Sequence, residues 1–317
     1  MTCIAVFSTV AGIGNTTLVY HLGHILANQG RNVLLVDCDP QATLTSLCLP
    51  EERVEALWYG NPGQRPTIAS SGFDATLHIE PLGPNLALVP GDTALALLEH
   101  ALAASWIDAL KDQEDSVIKF SYLAHQIEVA ARSHNAAIVL LDLGPSLGAI
   151  NRAVLLAADF VLTPVTPSFQ SIEGLQALGE TLQEWRNLWQ PIYCNRPEEE
   201  PLAGGSMLPL GYVVSQTGMR LSSPIHSYAR WLDRLPGAYR QAMHSGTGYP
   251  KSIADDPECL GLIHHYAGLM PLALDAREPM FDLRPADGAI GSHMDSVLRC
   301  RQDFERLAQQ ILTRISS

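Results

Sequence analysis

Apolar residues along this chain follow two patterns, short unbroken runs and longer stretches in which they recur every three or four positions. Cys3-Ile4-Ala5-Val6-Phe7, Val33-Leu34-Leu35-Val36, Ile138-Val139-Leu140-Leu141 and Phe160-Val161-Leu162 are unbroken, as strands are when both faces of a parallel sheet are covered. Between them the helical period returns. Leu18, Leu22, Ile25 and Leu26 share one face over residues 18–29, and residues 94–110, 117–133 and 172–189 also read as helices. The last of these places Leu175, Leu178, Leu182, Trp185 and Trp189 inward or at an interface. Strands alternating with helices of this length build β-α-β units. The expected fold is α/β, a mostly parallel sheet with helices on both faces, and Leu210-Gly211-Tyr212-Val213-Val214 supplies a late strand.

Elsewhere the pattern weakens. Residues 46–80 are rich in Pro, Gly and Ser and read as loops with short elements, and residues 191–205, with Glu198-Glu199-Glu200, read as a solvated loop. Pro250, Pro257, Pro271 and Pro279 break residues 236–285 into short helical pieces, and residues 295–315 form a final helix with Val297, Phe304, Leu307, Ile311 and Ile315 on one stripe. A chain of 317 residues, 47% hydrophobic, can bury one large core. The expected organisation is a nucleotide-binding core over residues 1–220 and a C-terminal extension, 221–317, that packs on the core and ends in the long helix.

The chemistry gathers where strands end. Val10-Ala11-Gly12-Ile13-Gly14-Asn15-Thr16-Thr17 lies between the first strand and the first helix. Backbone N–H groups of such a turn, with the positive end of the helix behind them, can cradle phosphate oxygens. Gly12, Ile13, Gly14, Asn15, Thr16 and Thr17 are the candidate nucleotide-binding residues, and the Thr16 hydroxyl stands where a loop of this kind ligates magnesium. No lysine is present: Asn15 occupies the position from which a lysine reaches the β- and γ-phosphates. The next strand releases Asp37 and Asp39 in Asp37-Cys38-Asp39-Pro40-Gln41, and a later one releases Asp142 before Leu143-Gly144-Pro145. In an open parallel sheet, ligands bind beyond these strand ends. Thr16, Asp39 and Asp142 make a sensible set for a nucleotide's Mg2+.

With these segments the chain resembles the ParA/MinD family of deviant Walker ATPases, a P-loop NTPase-like fold. The family's first loop reads Lys-Gly-Gly-Val-Gly-Lys-Thr-Thr, its next strand ends Asp-x-Asp-Pro-Gln, and its Walker B strand ends Asp-x-x-Pro. The match continues through Leu88-Val89-Pro90-Gly91-Asp92 and Ala157-Ala158-Asp159. The resemblance implies a homodimer that sandwiches ATP or ADP with Mg2+. It implies that Asp39, with Asp37 beside it, positions the attacking water, and that two lysines grip the phosphates, one of them across the dimer. Here those lysines are Val10 and Asn15, and one loop glycine is Ala11. Only Lys111, Lys119 and Lys251 occur among the 20 basic residues, yet drift away from lysine should leave arginine rather than valine and asparagine. The expectation is a pseudo-ATPase or very weak ATPase acting as a dimerising interaction or positioning module. The alternative is an active ParA-like ATPase that partitions DNA or positions cargo, with a surrogate cation for which Arg152 is the candidate.

Charge narrows the partners. A net charge of −13 opposes nonspecific DNA binding, which rests on phosphate neutralisation, and favours a protein partner of adaptor or centromere-binding type. The six cysteines are scattered and read as reduced thiols. His264-His265 and the His21/His24 pair lack the further ligands a metal needs. The apolar amino terminus has no basic leader, no run approaches the length of a membrane span, and the acidic residues of the final helix argue for packing rather than membrane anchoring. A cytoplasmic protein is expected.

Overall fold

The computed structural model describes residues 1–59, 77–196, 202–217, 226–244 and 252–316. Eight strands form one sheet in the order β3-β4-β2-β5-β1-β6-β7-β8. They are β1 (Thr2–Val6), β2 (Val33–Asp37), β3 (Glu80–Gly83), β4 (Leu86–Val89), β5 (Ile138–Asp142), β6 (Phe160–Val165), β7 (Leu208–Thr217) and β8 (Cys259–His264). Only the β3–β4 pairing is antiparallel. Every residue of β2 and β5 is buried, because helices cover both faces, and this explains why these strands read as unbroken apolar runs.

One face is covered by α4 (Leu98–Ala109), α5 (Glu114–Ser133), α6 (Ala149–Leu156) and α7 (Phe169–Cys194), whose apolar sides surround Trp106, Phe120 and Trp189. On the other face lie α1 (Asn15–Asn28), α2 (Thr43–Cys48), α3 (Glu51–Tyr59), α10 (Met270–Ala276) and α11 (Ser292–Ile315). Two further helices, α8 (His226–Leu232) and α9 (Leu235–His244), come after β7. Helix α9 crosses α7 closely at Gly179, where an added Cβ would collide with the Ala242 carbonyl.

Two expectations change. The stretch read as broken helices contains β8, a parallel edge strand paired to β7, so the C-terminal region extends the sheet as well as packing on it. Helix α7 runs through Pro191 to Cys194 where a loop was expected, and Glu198-Glu199-Glu200 lies outside the described residues. The final helix buries Val297, Phe304, Leu307 and Ile311 against the sheet and α1. No helix among the described residues is long and apolar enough to cross a membrane.

Candidate functional site

The strand register builds the site. Val6 pairs with Asp142 and Asp37 pairs with Asp142, so three neighbouring strands end in one row, and their C-terminal turns gather above it. After β1 the chain turns through Gly12 at φ +75° and Gly14 at φ +102°, conformations that a side chain at either position would strain. Such turns aim successive N–H groups into a concavity. Gly14 then caps α1, and its carbonyl accepts the Leu18 N–H at 2.9 Å. Thr16 and Thr17 occupy the first turn of α1. The turn has the backbone shape of a phosphate cradle.

Two side chains of the loop, Val10 and Asn15, are uncharged. The Thr9 hydroxyl donates to the Gly174 carbonyl of α7 at 3.3 Å, and a Cβ on Gly174 would come within 3.0 Å of Val10 Cγ2. Val10 therefore packs against α7. The Asn15 side-chain oxygen is buried without a hydrogen-bond partner. Arg152 lies elsewhere: its guanidinium is sandwiched between Trp106 and Trp185, 4.7 Å from each ring, in the helical layer on the face away from α1.

The three aspartates differ in environment. Asp37 is fully buried and accepts from the Thr45 amide at 2.8 Å, the Thr45 hydroxyl at 2.6 Å and the Asp39 amide at 3.3 Å. The Thr45 oxygen in turn accepts the Gly91 N–H at 2.8 Å, joining the ends of β2 and β4 to α2. Burial pushes the Asp37 carboxyl up to about 6, against the pull of the Thr45 bonds. Asp39 is half-buried; it caps the Gln41 amide at 2.9 Å and rests against Gly144, where a Cβ would stand 3.0 Å from Oδ1.

Asp142 is fully buried with both carboxylate oxygens unpartnered. The Thr16 hydroxyl and the Leu143 amide lean on it and ease its ionisation without completing hydrogen bonds. Burial first, and the neighbouring Asp37 second, hold its pKa well above the usual carboxylate range. An orphaned buried carboxylate beside a threonine hydroxyl, at the mouth of a phosphate cradle, fits a divalent cation. No group of three His, Cys, Asp or Glu residues among the described ones could hold a metal.

Beside the loop opens a cavity of about 490 Å3. Ile13, Thr17 and Leu18 form one wall, residues 263–267 at the end of β8 and just beyond it form another, and Met270 and Phe304 close it. Among the described residues the lining includes Ser215, His264 and His265 and no Lys, Arg, Asp or Glu. His264 Nδ1 donates to Asp303 Oδ2 of α11 at 2.7 Å, and the Tyr266 hydroxyl donates to the same oxygen at 2.6 Å. From the sequence, His264 was a candidate only for metal ligation, and this network was missed. His21 is a buried link: Nδ1 donates to the Thr17 carbonyl at 2.7 Å and Nε2 accepts the Met280 N–H at 3.1 Å, while its ring stacks 5.0 Å from Phe304. All six cysteines are free.

A family model described as an AAA domain matches residues 1–192 of the chain. The chain is 33% identical to the chromosome-partitioning ATPase Soj of Thermus thermophilus over 185 residues, 58% of this chain and 62% of that protein. It is 31% identical to a probable plasmid-partitioning protein ParA from the same organism over 195 residues, 59% of this chain and 51% of that protein. The chain belongs to the ParA/MinD family of P-loop ATPases. It spans only about half to two thirds of the length of these curated relatives. The ParA/MinD fold extends through the C-terminal region: a putative plasmid partition protein from Borrelia burgdorferi, solved with AMPPNP bound, superposes with a TM-score of 0.61 at 16% identity, covering 99% of each chain.

Proposed function

We propose that this chain is a ParA-like interaction or positioning module, working as a homodimer, whose nucleotide site binds ATP or ADP weakly and hydrolyses slowly or not at all. The observation that carries this reading is the contrast within one loop. The backbone cradle at Gly12 and Gly14 is formed, while Val10 is packed against Gly174 and Asn15 offers only a neutral amide. Phosphoryl transfer depends on positioning and charge stabilisation, and a cationic group supplied across an interface contributes roughly 10³ to 10⁵ in rate. Losing two such groups removes most of that.

Thr16, Asp39 and Asp142 are the residues that would hold Mg2+, which when bound would neutralise phosphate charge. Asp39, lodged over the Gly144 turn, would orient the attacking water, with Asp37 accepting from the Asp39 amide behind it. A net charge of −13 favours a protein partner of adaptor or centromere-binding type over nonspecific DNA. Retention of Thr16, Asp39 and Asp142 favours a second reading, an active partitioning ATPase with the lysine roles met from a partner. Calorimetric titration with ATP and Mg2+, joined to a phosphate-release assay, separates the two. The first expects weak binding and negligible release; micromolar affinity with steady release would overturn it.

A further inference from the structure

Charge is unevenly distributed along this acidic chain. Residues 202–244 carry Arg220, Arg230, Arg234 and Arg240 against a single acidic residue, Asp233, in a chain of net charge −13. Arg240 turns toward Asp256, 3.7 Å away. Arg230 and Arg234 are exposed, and both lie over the half-buried Trp231 ring, 4.8 Å and 5.1 Å from its centroid. Among the described residues neither guanidinium forms an ion pair. Phe169, the first residue of α7, is 54% exposed, and its ring stands 6.0 Å from Trp231. Arginine and tryptophan are the side chains that dominate binding energy where proteins meet. A guanidinium stacked on an indole keeps its in-plane N–H donors free for a carboxylate.

Beside this patch a groove of about 430 Å3 runs between α7 and the start of α9, with Ile172, Glu173 and Gln176 on one side and Asp233, Arg234 and Gly237 on the other. Its acidic residues separate two kinds of polyanion. A strand of evenly spaced phosphates that met the arginines would run on to Glu173 and Asp233, whose like charge repels it. A peptide can set carboxylates against the arginines and backbone N–H donors against Glu173 and Asp233. We propose that this surface docks an acidic peptide segment of a protein partner, with Arg230 and Arg234 gripping its carboxylates and Trp231 and Phe169 packing against its chain. The inference rests on the interaction-module reading and names the chemistry of the partner. A segment bound at Phe169 would sit on α7, the helix whose Gly174 meets Val10 of the glycine loop.

The test is fluorescence anisotropy on the full chain with four labelled probes: an end-blocked peptide of repeated Glu-Ala-Gly, its glutamine counterpart, a DNA duplex and a single-stranded oligonucleotide. The glutamate peptide is expected to bind at least about tenfold tighter than the other three, the factor that one charge-assisted bond contributes. Arg230→Gln with Arg234→Gln should weaken it at least about tenfold and leave the thermal midpoint in place. Arg230→Lys with Arg234→Lys, which keeps the charge and loses the planar fork, should restore only part of the affinity. Arg299→Gln with Arg306→Gln, a charge-matched change at exposed positions of α11, should alter nothing. Equal binding of the two peptides, affinity unchanged by the Arg230 and Arg234 substitutions, or no binding of the glutamate peptide overturns the proposal. Tighter binding of either nucleic acid, lost with the same two arginines, overturns it in favour of a nucleic-acid surface. The reading of the glycine loop fails separately, on steady phosphate release from ATP.

Discussion

At Asn15 the loop presents a neutral amide where a charge-assisted bond to a phosphate oxygen would contribute roughly 1.5–3 kcal/mol. Asn15→Lys should therefore tighten ATP at least about tenfold in calorimetry and leave adenosine unchanged; equal gains for both would show that the substitution acts through the fold. His21 gives the chain an acid-labile joint. Burial holds its ring neutral, lowering the pKa from 6.5 to about 4. The unfolded ring takes a proton near 6.5, so the stabilisation is complete above that pH and is lost as pH falls toward 4. At full protonation the loss is up to about 3 kcal/mol. The raised Asp37 carboxyl slopes the other way in part of this window, so the measurement is a difference: thermal midpoints of the wild type should fall more steeply between pH 6.5 and pH 5 than those of His21→Gln.

Among elements, the α7–α9 crossing is the tightest test of packing. Gly179→Ala forces a Cβ into the Ala242 backbone and should cost roughly 1–3 kcal/mol in urea unfolding, whereas Gly83→Ala in β3, with open space around it, should cost far less. The strands that carry the site were legible because β1, β2 and β5 are covered on both faces and so appear as continuous apolar runs. Strand β8 was not. Its burial is irregular, Leu262 is exposed, Gly261 interrupts it, and prolines lie near it, so an edge strand looked like broken helix. The loop glycines and the aspartates were legible from their places at strand ends. Which way each carboxylate turns was not, since the partner of Asp37 lies eight residues on at Thr45. The His264–Asp303 pair joins residues 39 apart, and only the packing of α11 against β8 brings them together.

At the scale of the molecule, the C-terminal region is sewn to the core through α1: His21 reaches Met280, and its ring meets Phe281 and Phe304. Phe304→Ala should cost roughly 3–5 kcal/mol and still leave one unfolding transition, with fluorescence from the tryptophans, three of the five of which (Trp106, Trp185 and Trp189) lie on the opposite face of the sheet, coinciding with circular dichroism. Two separate transitions would show that residues 226–316 melt independently.

The link from Asp37 through Thr45 to Gly91 has a consequence for how such a protein can change over time. It fixes the aspartate-bearing turn with buried bonds between the chain's own groups. Shape and charge can then be inherited separately, and a lineage can shed the catalytic electrostatics of an ancestor while keeping the mould in which they once sat.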